Sequence, residues 1–117
     1  MDSALSKGLK VLLNVQSIDT GLFKKYGFIK AAGLFGSCAR GENNEGSDMD
    51  LWIKTGKASE EELASVTAEI NKKIDKANPL FLTEAKLVKM KKEDEHFYHS
   101  LVFGSILLYG VKDALQL

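Results

Sequence analysis

Residues 34–53, LFGSCARGENNEGSDMDLWI, contain the pattern on which the interpretation of this chain depends. The apolar residues 28–35 lead into this stretch and predict a strand that is buried on both faces. Residues 36–47 hold three glycines and two asparagines, so we expect a loop with one helical turn near its start. Residues 48–55 alternate polar and apolar side chains, which predicts a second strand. Long polar loops inside small domains tend to be functional, so this loop becomes the candidate site.

Outside this stretch, hydrophobic spacing predicts alternating helices and short strands. Helices are expected over residues 3–16, 22–26, 60–76 and 95–103, and strands over residues 80–83 and 105–109. Ser59 and Glu62 form a capping box before the third helix, and Pro79 prevents that helix from continuing. The charged residues 89–95 receive no assignment. We therefore predict one α/β domain over residues 1–117, in which helices cover a small mixed β-sheet.

Composition limits the classes of partner. Sixteen basic residues balance sixteen acidic ones, so no overall field attracts the chain to nucleic acid or to an anionic membrane. The single cysteine, Cys38, allows no intrachain disulfide, and no apolar run is long enough to span a membrane. We therefore expect a cytoplasmic protein that is soluble and whose phosphate binding, if present, is local.

Asp48 and Asp50 are the first chemical signal. On a strand, residues i and i+2 share a face, which places the two carboxylates roughly 6–7 Å apart. Two negative charges at that distance repel by roughly 2–3 kcal/mol at an effective dielectric near 20. A divalent cation such as Mg²⁺ would remove this cost, since it binds one or two carboxylates together with substrate phosphates. The alternative is that both carboxylates face solvent on an exposed strand.

The glycine-containing turn before this strand is the second signal. Gly36 and Gly41 allow the backbone to approach a phosphate, and Ser37 adds a hydroxyl. Arg40 adds a planar guanidinium that suits phosphate oxygens. In isolation, these residues fit an ordinary turn with a surface arginine equally well. Together with the paired aspartates, they suit a nucleoside triphosphate whose phosphates are bound beside a metal ion.

The combined pattern resembles a known family signature. Gly-Ser-x-Ala-Arg-Gly followed by Ser-Asp-x-Asp-Leu is similar to the motif of the minimal nucleotidyltransferases of the DNA polymerase β-like superfamily. The matching positions are Gly36, Ser37, Ala39, Arg40, Gly41, Ser47, Asp48, Asp50 and Leu51.

This resemblance implies a nucleotidyltransferase fold and a set of roles. Gly36 and Ser37 would bind the triphosphate with help from Arg40. Asp48 and Asp50 would hold Mg²⁺, up to a two-metal site. Such proteins transfer a nucleoside monophosphate, here AMP from ATP, to an acceptor hydroxyl. Many are antitoxins whose partner is a HEPN-domain toxin, and some adenylylate that partner.

One departure from the family pattern concerns a third carboxylate. Active members supply it from a later strand, yet the corresponding residues 78–82, NPLFL, contain no acid. Glu84 is the nearest candidate. The alternative function is therefore a catalytically impaired antitoxin that acts by binding its partner. The chain leaves no residues for an acceptor-recognition domain, so specificity would come from that partner or from a homo-oligomer.

Three other side chains have two interpretations each. Trp52 shares the strand face of Asp50, so it either stacks on a nucleobase or packs in the core. His96 and His99 lie three residues apart on a predicted helix and either bind metal or face solvent. Cys38 lies in the loop, where amide dipoles would lower the pKa of its thiol, although we interpret it as a spacer.

Overall fold

A computed structural model of the protein describes residues 3–16, 18–42, 48–111 and 113–117. The helices are α1 Ser3–Gln16, α2 Gly21–Lys24, α3 Ser37–Arg40, α4 Glu60–Lys73, α5 Glu84–Glu93 and α6 Glu95–Gly104. The strands are β1 Ile29–Phe35, β2 Met49–Thr55, β3 Ala77–Leu82 and β4 Ile106–Gly110. None of the helices in this part of the chain is long and apolar enough to cross a membrane.

The four strands form one mixed sheet in the order β3-β2-β1-β4. β1 is antiparallel to both of its neighbours, and β2 is parallel to β3. The parallel pair is connected through α4, as a crossover requires. The register pairs Phe35 with Asp50 and Asp50 with Asn78. The end of β1 and the starts of β2 and β3 therefore meet at one end of the sheet. The predicted mixed sheet is confirmed.

The two faces of the sheet have separate cores, as the alternation along β2 predicts. Leu51 and Ile53 face a cluster with α2 and α4, whereas Trp52 faces a cluster with α5, α6 and the C-terminal residues. Ser59 accepts a hydrogen bond from the Glu62 amide and Glu62 returns one to the Ser59 amide, so the capping box at the start of α4 is confirmed.

Two predicted boundaries are wrong for physical reasons. The predicted helix over residues 60–76 ends at Lys73, and the next strand begins at Ala77 instead of residue 80. Pro79 lies inside this strand because β3 is at the edge of the sheet, where a residue without an N–H is tolerated. The unassigned charged residues belong largely to α5, which shows little periodicity because Leu87 is its only buried residue.

Helix α1 has its leucines on the outside. Leu5, Leu9 and Leu12 are 66%, 47% and 52% exposed, although their spacing is that of an amphipathic helix. The opposite side of α1 contacts α3, where the Asn14 amide donates a hydrogen bond of 2.9 Å to the Cys38 carbonyl. Helix α1 therefore supports the polar loop and presents an apolar stripe to solvent.

Candidate active site

The turn after β1 depends on a glycine. Gly36 has φ 72° and ψ −151°, a backbone conformation that side chains disfavour. A Cβ atom at this position would lie 2.8 Å from the Oδ2 atom of Asp50. The absence of a side chain therefore lets the backbone approach the carboxylate of the neighbouring strand.

One helical turn, α3, follows this glycine and is fixed from behind. Its C-cap is Gly41, which is left-handed at φ 69° and whose backbone packs against the carbonyl of Lys7 on α1. A side chain at Gly41 would collide with that carbonyl, so the glycine is required by packing as well as by conformation. Ser37 is half-buried at the start of the turn, whereas Arg40 is exposed at its end and lies 3.4 Å from Glu42.

Asp50 lies at the end of the sheet where β1, β2 and β3 meet, on the central strand of the three. It is half-buried, and its Oδ1 atom accepts a hydrogen bond of 3.1 Å from the side-chain amide of Asn78. Asp48 lies two residues earlier, just before β2, and is exposed. The Asp48 backbone carbonyl accepts a hydrogen bond of 3.5 Å from the Cys38 thiol, which ties the end of the loop to α3.

The predicted site residues fall into two groups. Gly36, Arg40 and Asp50 line one cleft of about 600 Å³. Ser37 and Asp48 lie next to these residues in the chain but do not form its walls. Ser47, the remaining polar residue of the motif, lies outside the described residues. The structure thus brings a glycine turn, a guanidinium and a carboxylate to one concave surface.

An amide side chain, not a carboxylate, lies beside Asp50 on the next strand. The register places Asn78 beside Asp50, at the position where β3 could offer a side chain to the cleft. Glu84 is wrong as a substitute, because it follows the far end of β3, where it lies 3.8 Å from Lys54. Lys54 follows Asp50 by four residues, or about 13 Å along the strand. In the part of the chain that the structure describes, no group of three or more acidic, histidine or cysteine side chains could hold a metal ion.

One Mg²⁺ ion shared with a substrate is the metal that this donor set would suit. Mg²⁺ typically takes one or two protein carboxylates and completes its shell with water and phosphate oxygens. Asp50, with Asp48 two residues before it, would supply the protein ligands. A neutral amide at Asn78 adds no charge to attract a second ion.

A second wall of the cleft comes from α6, which the sequence pattern did not indicate. Phe97, His99 and Phe103 line this wall. Phe97 packs edge-on against Phe35, with ring centroids 6.3 Å apart and planes at 80°. The signal was present as aromatic residues at helical spacing. The pattern could not show that α6 returns to a loop some sixty residues earlier in the chain.

Two alternatives from the sequence are now decided by burial. Trp52 is 2% exposed and packs over Gly33, so it belongs to the core. Cys38 is also buried, and this burial, with the nearby charge of Asp50, raises the pKa of its thiol. The expected lowering by amide dipoles is wrong, because loss of hydration of the thiolate outweighs it.

Residues 20–114 match the family described as polymerase beta, nucleotidyltransferase. The chain belongs to this family. The match begins after α1 and includes the turn, both aspartates and α6. It confirms the resemblance carried by the glycine and aspartate motif. No curated protein matches this sequence.

Solved structures share the fold at low sequence identity. A chain of a toxin–antitoxin complex with AMP-PNP gives a TM-score of 0.62 at 14% identity, covering 88% of this chain and 78% of that one. A chain from a complex of tri-AMPylated Shewanella oneidensis HEPN toxin with MNT antitoxin gives a TM-score of 0.55 at 14% identity, covering 87% of this chain and 74% of that one. A candidate nucleotidyltransferase from Sulfolobus solfataricus gives a TM-score of 0.52 at 16% identity, covering 97% of this chain and 93% of that one. The predicted nucleotidyltransferase fold is therefore confirmed.

Proposed function

We propose that this nucleotidyltransferase transfers AMP from ATP to a hydroxyl of a HEPN-type toxin partner and acts as its antitoxin. The observation that carries the proposal is the close approach of Gly36 to the Asp50 carboxylate inside a cleft that Arg40 also lines. Such a cleft offers an open backbone, a cation for phosphate and a carboxylate for a metal within one small volume. These are the groups that bind a nucleoside triphosphate and stabilise the charge that develops during transfer from it.

The residues would divide the work by charge. The guanidinium of Arg40 would bind phosphate oxygens, and Gly36 would let the phosphates lie against the backbone. Asp50 and Asp48 would hold Mg²⁺, which when bound neutralises phosphate charge and polarises the α-phosphate. The acceptor hydroxyl oxygen would form a bond to the α-phosphorus while the bond from that phosphorus to the β-phosphate oxygen breaks. Pyrophosphate would leave, and the hydroxyl proton would pass to water.

The solved structures support the choice of partner. Two of the similar chains come from toxin–antitoxin complexes, one crystallised with AMP-PNP and one with a tri-AMPylated HEPN toxin. The present chain offers a surface for such a helical partner. Leu5, Leu9 and Leu12 form an exposed apolar stripe on α1, the helix that supports the phosphate-binding turn. An apolar stripe at helical spacing fits a groove between partner helices.

Labelled ATP tests the transfer. Incubation with Mg²⁺ and the product of the neighbouring gene should label that protein. Asp50→Asn should abolish labelling because the metal loses its central ligand. Asp75→Asn, which removes an exposed carboxylate outside the cleft, should leave labelling unchanged. Persistent labelling by Asp50→Asn would contradict the proposed chemistry.

Co-purification tests the partner surface. Leu9→Asp should reduce binding of the HEPN-type partner while ATP binding is retained. Val88→Asp is the matched control, since Val88 is 50% exposed on α5. If Leu9→Asp instead converts a homodimer into a monomer and leaves partner binding intact, the stripe serves self-association and this assignment is wrong.

A second candidate is favoured by the contact between Asn78 and Asp50. An amide in place of a third carboxylate would preserve nucleotide binding while transfer is slow or absent. The protein would then neutralise its partner by association alone. Toxin neutralisation that survives both Asp48→Asn and Asp50→Asn would support this candidate over the enzyme.

A further inference from the structure

The cleft has two chemically different walls. Gly36, Arg40 and Asp50 form a polar wall, and α6 forms a second, aromatic wall with His99 and Phe103. The proposed phosphate and metal chemistry uses only the polar wall. Resting on that proposed function, we propose that the aromatic wall binds the base of the nucleotide by stacking, with Phe103 as the main platform.

The exposure of Phe103 points to a ligand. This ring is 78% exposed, whereas Tyr98 on the same helix is 4% exposed. A large aromatic side chain left in water forgoes the stabilisation that burial would provide. The ring of His99 lies one helical turn away, with centroids 6.0 Å apart and planes at 51°. The two rings therefore offer neighbouring aromatic surfaces beside the cleft.

The platform is held at a fixed position relative to the polar wall. Phe97 on α6 packs against Phe35, which directly precedes Gly36 in the chain. On the far side of α6, the Tyr98 hydroxyl donates a hydrogen bond of 3.0 Å to the Leu115 carbonyl. These contacts fix α6 on both sides, so the separation of the two walls is set by packing. A ligand that spans both walls meets a preformed site.

The size and polarity of the cleft favour a base over other groups. Its volume of about 600 Å³ lies within the usual range for small-molecule sites. Phosphates at the polar wall would leave the covalently attached base to occupy the remaining, aromatic part. On α6 the polar side chains that line the cleft are His99 and Ser100, and both are exposed. Stacking uses a face that every base possesses, so this wall binds bases with little discrimination.

Two ligands separate stacking from phosphate binding. MgATP and Mg²⁺ with inorganic triphosphate are titrated calorimetrically into the wild-type protein and its variants. Phe103→Leu keeps apolar bulk and removes the ring. It should weaken MgATP binding by about 10-fold and leave triphosphate binding unchanged. Phe103→Tyr should retain MgATP affinity because it keeps a ring. Val88→Ala, on the exposed surface of α5, should change neither.

Each other outcome counts against the proposal. Equal MgATP affinity in wild type and Phe103→Leu overturns base stacking, even if phosphate binding is sound. If Phe103→Leu weakens the binding of MgATP and of triphosphate equally, the ring acts on phosphate binding at the polar wall and does not stack on the base. If Phe103→Leu binds MgATP normally but labels the protein partner less, the ring contacts the acceptor protein and not the base. If the wild-type protein binds neither ligand, the proposed function fails together with this inference.

Discussion

Among single residues, Gly36 connects the backbone of the turn to the chemistry of Asp50. We predict that Gly36→Ala destabilises the protein by about 1–3 kcal/mol, since alanine disfavours this backbone region, and that it weakens nucleotide binding. Its methyl group would also lie against the Asp50 carboxylate. Thermal unfolding and ATP titration measure the two effects.

Gly27 provides the matched control for this substitution. A Cβ atom at Gly27 would meet nothing within 4 Å, and its φ is not in the left-handed region. Gly27→Ala should therefore leave stability and binding nearly unchanged. Equal effects of the two substitutions would show that the conformation of Gly36 is not special.

Asn78 sets the charge of the site. Replacing it with aspartate turns a hydrogen bond of 3.1 Å into a pair of facing carboxylates. Two such carboxylates repel each other, although the exposure of residue 78 to solvent screens part of the repulsion. We predict that Asn78→Asp lowers the melting temperature without divalent ions and that Mg²⁺ restores it. It should also increase transfer if the missing third carboxylate limits catalysis.

Asn71→Asp controls for the added charge. Asn71 is exposed on α4 and lies outside the cleft. The melting temperature of Asn71→Asp should respond to Mg²⁺ as the melting temperature of the wild type does. A Mg²⁺ response of Asn78→Asp that equals that of Asn71→Asp would show that Asn78 and Asp50 do not share a cation site.

Among the secondary-structure elements, α4 begins where the sequence predicts because its capping box is local. The Ser59 hydroxyl accepts a hydrogen bond of 3.1 Å from the Glu62 amide. We predict that Ser59→Ala costs about 1 kcal/mol of stability. Ser65→Ala, in the exposed interior of the same helix, should cost nothing or stabilise slightly. Urea denaturation compares them, and equal losses would argue against the cap.

Other elements depend on distant contacts, and there the sequence was less informative. The turn and β2 could be predicted because glycines, a polar run and side chains of period two are local signals. Helix α5 could not be predicted, since it buries one side chain and so lacks a periodic face. The aromatic wall also depended on tertiary packing, because Phe97 meets Phe35 only after the sheet has formed.

At the scale of the whole molecule, Glu69 joins α4 to the segment after α2 and makes stability depend on pH. Its carboxylate accepts hydrogen bonds from Lys25 and from the Tyr26 hydroxyl, the latter at 2.6 Å. These bonds hold the pKa of Glu69 below its ordinary range. A lowered pKa adds stability above the ordinary glutamate pKa, and this stability is lost as pH falls through the lowered value.

Glu69→Gln should therefore reduce the melting temperature near neutral pH, and the difference from wild type should disappear in strong acid. Glu93→Gln, at the exposed end of α5, is the control and should show little difference at any pH. Melting temperatures of the wild type and both variants, measured from neutral pH to strong acid, test this prediction. A Glu69→Gln deficit that persists unchanged in acid would show that the ion pair is not its cause.

We propose that the end of the sheet where β1, β2 and β3 meet binds a triphosphate together with Mg²⁺. Calorimetric titration of ATP, with and without Mg²⁺, into the wild-type protein and Asp50→Asn tests this binding. Mg²⁺ should strengthen ATP binding to the wild type, and Asp50→Asn should lose this enhancement. An equal enhancement by Mg²⁺ in both proteins would show that Asp50 does not hold the metal.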